Sequence, residues 1–263
     1  IQAPARQGVC WGPRSLLQIL YNEKGQLPKG VARDWPQYPS RGFMLDVGRK
    51  FFTMDFLRQY VKILSFYKLN EFQIHLNDNG FVQFFDNDWN KTYAAFRLES
   101  ERFPGLTAKD GSYTKKEFTD LQRLGMEYGV NVIPEIDIPA HSLAFTHYKP
   151  EIGSDKYGMD LYKEETYRFV DSLLDEYLSG EKPVFIGPDV HIGTDEYNAK
   201  EAEKFRYFTD RYLKYVEKYG KNVRMWGALR WLKGNTPVKA DNVTINAWSY
   251  DWIDPNASLK DGY

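Results

Sequence analysis

The sequence predicts an α/β fold: a (β/α)8 barrel of the TIM type, apparently truncated after about six strands. From about residue 41, short strand-like runs alternate with amphipathic helices, as expected for βα units around a parallel sheet. The 263 residues are enough for one large domain of this kind, and 42% of them are apolar, which is enough for a core. Unusual polar residues follow the predicted strands, at the end where such barrels carry their active sites.

The first two predicted strands are separated by one helix. Residues 42–47 form the first strand, and residues 71–76 form the second because apolar and polar residues alternate along them. The helix between them covers residues 54–67 and begins at Thr53, a typical N-cap. Its apolar stripe has helical spacing and consists of Phe56, Leu57, Tyr60, Val61 and Leu64.

A long segment, residues 77–113, follows the second strand. Its apolar residues show neither the spacing of a helix nor the alternation of a strand, so we predict a loop there. Loops of this length inside a compact domain are usually functional. Thr114 and Glu117 then have the spacing of a capping box, which predicts the start of the second helix. The third strand is expected over residues 130–136.

The same alternation continues to the end of the chain. Helices are predicted at about residues 163–178 and 200–219, and strands at residues 190–193, 223–226 and 243–248. The first 40 residues do not follow this alternation of strands and helices. A short helix, residues 13–21, precedes an irregular proline-containing connection there. We therefore assign residues 1–40 to the tail of a preceding small α/β domain and a linker. Residues 41–263 are assigned to the barrel, whose C-terminal strands we expect to be missing.

The composition argues against several classes of function. A formal net charge of −1 disfavours nucleic acid or an anionic membrane surface as the main partner. No run approaches the roughly 20 apolar residues that a membrane-spanning helix needs. Cys10 is the single cysteine, so this chain can form neither an internal disulfide nor a cysteine metal site. That usage suits a cytoplasmic protein or a bacterial surface enzyme, and we expect the protein to be secreted or displayed at a bacterial surface.

The polar residues at the predicted strand ends are the candidate site. They are Asp46 and Arg49; His75, Asn77 and Asp78; Glu135, Asp137 and His141; Asp195 and Glu196; and Trp226 and Trp248. Several of these residues could instead have a purely structural role. Arg49 could merely form an ion pair with Asp46, His75 could be a hydrogen-bonded core histidine, and Asp137 could cap a turn. Both tryptophans could belong to the core, although each is followed by small residues that would leave an indole face accessible to a sugar.

Four stretches of the sequence resemble the first four barrel strands of glycoside hydrolase family 20, in the same order. They are residues 41–52 (RGFMLDVGRKFF), 74–79 (IHLNDN), 132–142 (VIPEIDIPAHS) and 191–196 (HIGTDE). The resemblance covers roughly residues 10–260. It implies β-N-acetylhexosaminidase chemistry on a terminal N-acetylglucosamine or N-acetylgalactosamine, in an oligosaccharide or other glycan.

The resemblance also implies a role for each candidate residue. Glu196 would be the acid/base and Asp195 would orient the acetamido group of the sugar, while Arg49 would hold sugar hydroxyls. Asp78 and His141 would form a relay that tunes Glu196, with His191 in the same supporting group. Trp226 and Trp248 would wall the acetamide pocket.

Three departures from the family pattern stand out. Thr194 occupies a position where a second glycine is common, and Asn77-Asp78-Asn79 replaces the commoner Asp-Asp pairing. The tyrosine of strand seven and the tryptophan and acid of strand eight have no counterpart in the chain.

Substrate-assisted chemistry explains why one Asp-Glu pair suffices. The acetamide oxygen of the substrate reaches C1 and acts as the nucleophile, so the enzyme supplies a proton donor and a carboxylate that balances the oxazolinium-like charge. We expect the donor to have a raised pKa. No metal or other cofactor is expected, since the four histidines lack metal-ligand spacing.

Three alternatives remain open. A lacto-N-biosidase-type enzyme of the same family would release a disaccharide instead of one sugar. A non-catalytic carbohydrate-binding module on the same fold would not need the proton donor that Asp195-Glu196 provides. An unrelated barrel enzyme with a metal-bound carboxylate site would lose activity on chelation.

Overall fold

The computed structural model describes residues 1–154 and 158–263 of the chain. Its centre is a parallel sheet of six strands that follow one another across the sheet in chain order. The sheet is curled into a half-barrel, so the predicted barrel architecture is confirmed, with six of its strands in this chain.

The strands are β1 (Gly42–Asp46), β2 (Glu71–His75), β3 (Asn77–Asn79), β4 (Ala94–Phe96), β5 (Asn131–Ile138), β6 (Asp189–Gly193), β7 (Asn222–Trp226) and β8 (Val243–Asn246). The α-helices are α1 (Arg6–Asn22), α2 (Met54–Phe66), α3 (Lys115–Tyr128), α4 (Leu143–Tyr148), α5 (Glu164–Leu178), α6 (Ala202–Glu217) and α7 (Pro255–Lys260). Short 3-10 helices cover Val82–Phe84, Pro150–Ile152 and Ala199–Glu201.

Local sequence signals account for the ends of the main helices. The side chain of Thr53 accepts a hydrogen bond from the backbone N–H of Phe56 at the start of α2. Thr114 and Glu117 form both hydrogen bonds of the predicted capping box at the start of α3, which ends at Gly129 with a φ of 74°. Apolar faces of α2, α3, α5 and α6 then pack on the sheet, and Leu57, Phe118, Leu174, Tyr212 and Val190 are among the fully buried residues.

The prediction of an unstructured loop over residues 77–113 is wrong. This segment contains β3 and β4, which pair antiparallel, and a 3-10 helix between them. Strands of three residues are too short to show a period in the sequence. Arg97 fixes the segment to the barrel, because its buried guanidinium donates to the carbonyl oxygens of Val47 and Gly48 at 2.8 and 3.0 Å.

The N-terminal residues lie against the outside of the barrel. Helix α1 packs on α2, where Arg14 Nε donates to Ser65 Oγ at 3.1 Å and Gln18 donates to the carbonyl of Phe66 at 2.6 Å. Residues 23–40 carry no helix or strand and are exposed. The assignment of residues 1–40 to a preceding domain stays a prediction. Within the described ranges, no helix is both long enough and apolar enough to cross a membrane.

Candidate active site

The carboxyl ends of β2, β5 and β6 bring the predicted relay together. His141 Nδ1 lies 2.8 Å from Asp78 Oδ1, and its Nε2 lies 3.2 Å from Glu196 Oε2 and 3.5 Å from Asp195 Oδ1. Asp78 lies on β3, immediately after β2, and is almost completely buried. The imidazole of His141 therefore bridges the buried carboxylate to both members of the Asp-Glu pair.

A tight turn after β6 points both carboxylates into the site. Gly193 and Thr194 have φ values of 71° and 68°, in the left-handed region that only glycine adopts without strain. A Cβ on Gly193 would lie 1.8 Å from Asp137 Oδ1, so no other residue fits there. Thr194, where the family commonly has glycine, is held in place by a hydrogen bond from its N–H to the carbonyl of Ile138 at 3.1 Å.

The amide side chain of Asn77 positions the loop that carries His141. Its Nδ2 donates to the carbonyl oxygens of Asp137 and His141 at 2.8 and 3.1 Å, and its Oδ1 accepts from the N–H of Asp137 at 2.9 Å. His141 itself has a φ of 48°. A carboxylate at position 77 could not donate, so the departure from an acidic pair at this motif has a structural role here.

The electrostatics place a proton on His141 in the free protein. Burial alone would lower the pKa of His141, but the charge of Asp195 and the contacts with Asp78 and Glu196 raise it well above 6.5. Burial opposes ionisation of Asp78, yet hydrogen bonds from His141 and His75 hold its pKa well below the usual range. The contact with His141 also lowers the pKa of Glu196 below 4.5.

The lowered pKa of Glu196 is opposite to the raised pKa that we expect of a general acid. The physical reason is that the imidazolium lies directly beside Glu196, whose side chain remains 44% exposed and is only weakly desolvated. A sequence alone does not reveal which of two adjacent groups holds a shared proton.

Asp137 is a buried neighbour of Asp195. It is 1% exposed, and neither of its carboxylate oxygens has a hydrogen-bond partner among the described residues. Burial and the neighbouring charge of Asp195 raise the pKa of Asp137 well above 3.8, which favours its uncharged form. Burial also raises the pKa of Asp195. The side chain of Asp137 does not cap a turn, because neither of its oxygens accepts a hydrogen bond from a described residue. Its backbone N–H donates to Asn77 Oδ1.

Arg49 lines the cleft and contacts the relay carboxylate Asp78. Its Nη1 contacts Asp46 Oδ2 at 2.9 Å and Asp78 Oδ2 at 2.6 Å, and its Nε donates to the carbonyl of Asn79 at 2.9 Å. Its guanidinium also lies over the ring of Phe81, 5.0 Å from the centroid. The pairing with Asp46 therefore exists, but it accounts for only part of the contacts of a side chain that remains one-third exposed in the cleft.

The cleft beside Glu196 has a volume of about 370 Å³, in the range of small-ligand sites. It is lined by Arg49, Asn79, Gly80, Phe81, Val82, Gln83, Trp89, His141, Glu196 and Trp252. Trp252 and the residues of the β3–β4 connection were not predicted as site residues. Helical or strand periodicity does not mark them, because they lie in irregular backbone or in a single turn of 3-10 helix.

Neither of the two predicted pocket tryptophans lines this cleft. Trp248 is 40% exposed and packs on Trp252 with 5.6 Å between ring centroids, so it extends the indole wall outward. Trp226 packs on His191 at 4.9 Å and donates its Nε1–H to Glu135 Oε1 at 2.6 Å. Their role as the acetamide wall stays a prediction.

His191 and Glu135 are buried in the interior of the barrel, next to the residues of the relay. His191 is fully buried, and its Nδ1 accepts a hydrogen bond from the N–H of Gly193 at 3.0 Å. Burial lowers the pKa of His191 to about 4, so it is neutral and supports the turn before Asp195. Glu135 was noted only as an acid at a strand end, yet it contacts both His75 and Trp226.

Acidic and histidine side chains also come together closely enough to raise the question of a metal. Three sets, each with ligand atoms within 4.8 Å of one another, occur in the described part: Asp46, His75 and Asp78; His75, Glu135 and Asp137; and Asp137, His141 and Asp195. In each set a histidine nitrogen already contacts a carboxylate. We assign none of these residues as metal ligands.

Comparison with known proteins shows the family. The model of the glycosyl hydrolase family 20 catalytic domain matches residues 38–263. A β-hexosaminidase of Akkermansia muciniphila is 27% identical over 279 residues, which are 92% of this chain and 55% of that protein. A lacto-N-biosidase of Bifidobacterium bifidum is 24% identical, over 97% of this chain and 24% of its own length.

Solved structures show the same fold. A β-N-acetylhexosaminidase of Bacteroides fragilis superposes with a TM-score of 0.76 at 22% identity, over 98% of this chain and 55% of that one. A Streptomyces plicatus β-hexosaminidase, solved with its product N-acetylglucosamine, gives a TM-score of 0.68 at 26% identity, over 86% and 46% of the two chains.

The chain spans about half the length, or less, of the curated relatives that it matches. The family model nevertheless covers most of the chain, including every stretch on which the sequence resemblance rests, and that resemblance is confirmed. The chain therefore belongs to glycosyl hydrolase family 20.

Proposed function

We propose that the full-length protein is a retaining β-N-acetylhexosaminidase that removes terminal β-linked N-acetylglucosamine or N-acetylgalactosamine from glycans. The observation that carries this proposal is the position of Asp195 and Glu196. The two carboxylates are adjacent in the chain and both contact His141, which Asp78 holds from the other side, and Glu196 lines the cleft. The names of the β-hexosaminidase relatives agree with this assignment.

In this mechanism the acetamido group of the substrate is the nucleophile. Its carbonyl oxygen attacks C1 as the bond to the leaving oxygen breaks, which gives an oxazolinium-type ring, and water later opens that ring with net retention. Asp195 accepts the acetamide N–H and balances the positive charge of the ring. Its limited exposure of 16% strengthens this interaction, because little water screens it.

The relay would deliver the proton that the leaving group needs. In the free protein His141 holds the proton and Glu196 is ionised. A bound sugar would desolvate Glu196 and raise its pKa, so the proton would pass from His141 Nε2 to Glu196 Oε2 and then to the leaving oxygen. Asp78 would stabilise the imidazolium before transfer and orient the ring throughout. Glu196, ionised again, would then take a proton from the attacking water.

A panel of aryl glycosides separates the proposed function from its nearest alternative. We expect the full-length protein to hydrolyse the aryl N-acetylglucosaminide and to leave the aryl lacto-N-bioside intact. Preferential release of the disaccharide would instead identify a lacto-N-biosidase, the alternative that the Bifidobacterium bifidum relative represents. Turnover of neither substrate, with N-acetylglucosamine still bound, would support a carbohydrate-binding module.

The relay predicts a specific pH dependence of kcat/KM. The competent enzyme holds one proton on the His141–Glu196 pair. The raised pKa of His141 retains this proton to above pH 6.5, and activity falls as the pH rises through that pKa. Asp78→Asn removes the charge that favours the imidazolium, so the alkaline limb should move to lower pH. The measurement is the pH profile for a substrate with a poor leaving group. An alkaline limb that Asp78→Asn does not move would remove His141 from the proton path.

A further inference from the structure

One layer of the barrel interior is polar where such barrels are normally apolar. His75, Glu135 and His191 are register partners on β2, β5 and β6, and all three side chains are buried. Barrel interiors are filled mainly by branched apolar residues, and buried charges destabilise a fold unless they are well paired. The proposed chemistry requires neither His75 nor Glu135, so this layer needs a separate explanation.

The carboxylate of Glu135 contacts both His75, which faces the relay, and Trp226. Its Oε1 lies 2.9 Å from His75 Nδ1 and accepts from Trp226 Nε1 at 2.6 Å. Its Oε2 accepts from Gln73 Nε2 at 2.7 Å, and Gln73 Oε1 accepts in turn from Asn246 Nδ2 at 3.1 Å. The carboxylate is 0% exposed, so these partners replace all of its water.

The other side of His75 faces the relay. His75 Nε2 lies 2.8 Å from Asp78 Oδ2, while Asp78 Oδ1 contacts His141 Nδ1. A continuous path of polar contacts therefore runs from the indole of Trp226 through Glu135, His75 and Asp78 to His141. The indole of Trp226 also packs on the ring of His191, with 4.9 Å between the ring centroids.

We propose that Glu135 is a positioning residue that fixes both the proton relay and the Trp226 indole through one buried carboxylate. This inference rests on the proposed function, because it assigns Glu135 a part in the same reaction. Glu135 does not line the cleft. It acts through His75 on the relay and through the indole N–H on Trp226, whose place in the acetamide wall belongs to the proposed function.

Negative and positive groups alternate along this path. Removing one charge should therefore change the protonation of its neighbours. Burial opposes ionisation of Glu135, but the charge of His75 and the bonds from His75 and Gln73 lower its pKa to about 2. Burial would lower the pKa of His75, yet Glu135 and Asp78 raise it well above 6.5. These contacts favour the imidazolium form of His75, whose Nε2 lies 2.8 Å from Asp78 Oδ2 and whose Nδ1 lies 2.9 Å from Glu135 Oε1. The charged or titratable groups around it are Asp46, Arg49, Asp78, Glu135, Asp137, His141 and His191.

The test compares two near-isosteric variants of the full-length protein. Glu135→Gln keeps an acceptor for the indole N–H but removes the charge, so His75 should become neutral. The proton on His141 then loses a repelling neighbour, and the alkaline limb of kcat/KM should move to higher pH, opposite to Asp78→Asn. Trp226→Phe keeps an aromatic ring but loses the N–H. It should raise KM at least several-fold for the N-acetylglucosaminide and leave the alkaline limb in place.

Glu71→Gln is the matched control. Glu71 lies four residues before His75 on the same strand and is paired inside the barrel with Arg224 at 2.8 Å, at the opposite end from the cleft. It should lower Tm without changing KM or the pH profile. A purely structural Glu135 would behave in the same way, and that result would overturn the proposal. A shift of the alkaline limb to lower pH would overturn it as well, because His75 would then keep its proton without Glu135.

A second measurement keeps this proposal distinct from the proposed function. The histidine NMR titration of the folded protein needs no turnover, and His75→Gln assigns the signal. His75 should titrate well above pH 6.5 in the wild-type protein and well below that in Glu135→Gln. If the wild-type protein hydrolyses no N-acetylhexosaminide, the proposed function fails alone. If His75 titrates identically in both proteins, the role of Glu135 fails alone.

Discussion

Glu196→Gln is expected to lower the turnover of substrates with poor leaving groups by about 10²- to 10⁴-fold, the usual contribution of a general acid. Glutamine has nearly the same shape but cannot pass on the proton that His141 holds 3.2 Å away. An activated aryl group leaves without full protonation, so formation of the oxazolinium ring from such a substrate should be affected much less. The measurement is pre-steady-state and steady-state turnover of matched substrates whose leaving groups differ in pKa.

Glu201→Gln provides the control for this substitution. Glu201 lies five residues further along the chain, in the 3-10 helix before α6, and contacts Tyr162 outside the cleft. It should leave the turnover of both substrates unchanged. Equal losses on good and poor leaving groups in a stably folded Glu196→Gln protein would show that Glu196 is not the proton donor.

The parts of this fold that the sequence predicted are those governed by local periodicity. Alternation along residues 71–76 and the apolar stripe of α2 each describe an element that contacts the core over its full length. The strand ends were predictable for the same reason, and the side chains that follow them meet because all six strands are parallel. The sequence therefore predicts that Asp78, His141, Asp195 and Glu196 lie close together, as they do in the structure.

Features that depend on contacts between distant segments were not predictable. Trp252 enters the cleft from an irregular segment, and β3 is too short to show alternation. The acid at position 135 was visible, but its bond to Trp226 links residues 91 positions apart. The direction of the pKa shift of Glu196 depends on the place of the His141 proton, which is set by Asp78, Asp195 and Glu196 from two different strand ends.

The largest expected effect concerns the acetamido group of the substrate. Replacing it by a hydroxyl should remove nearly all turnover, because an internal nucleophile has an effective concentration of about 10⁵–10⁸ M. The motivating observation is that Asp195 and Glu196 follow the same strand end and both contact His141, and the proposed mechanism uses neither as a nucleophile. The measurement compares matched aryl glucosides and N-acetylglucosaminides with the full-length protein.

Asp195→Asn should lower kcat by about 10²- to 10³-fold, comparable to the loss of one group that stabilises transition-state charge. Asparagine can still accept the acetamide N–H, so KM should change less than kcat. Asp189→Asn is the matched control, since Asp189 begins the same strand at the far end and pairs with Arg224 at 3.3 Å. That variant should affect stability and leave kcat of the folded protein unchanged.

A thiazoline mimic of the cyclised intermediate completes this prediction. It should bind far more tightly than the substrate, because it resembles a species that the site stabilises during the reaction. Asp195→Asn should weaken this binding more than it weakens binding of N-acetylglucosamine, since only the cyclised ring carries the charge that Asp195 balances. Comparable turnover of glucoside and N-acetylglucosaminide, or a sugar ester trapped on a carboxylate, would rule out the acetamide as nucleophile. The second result would require a carboxylate on the opposite face of the sugar, and Asp195 would then act as something other than the partner of the ring.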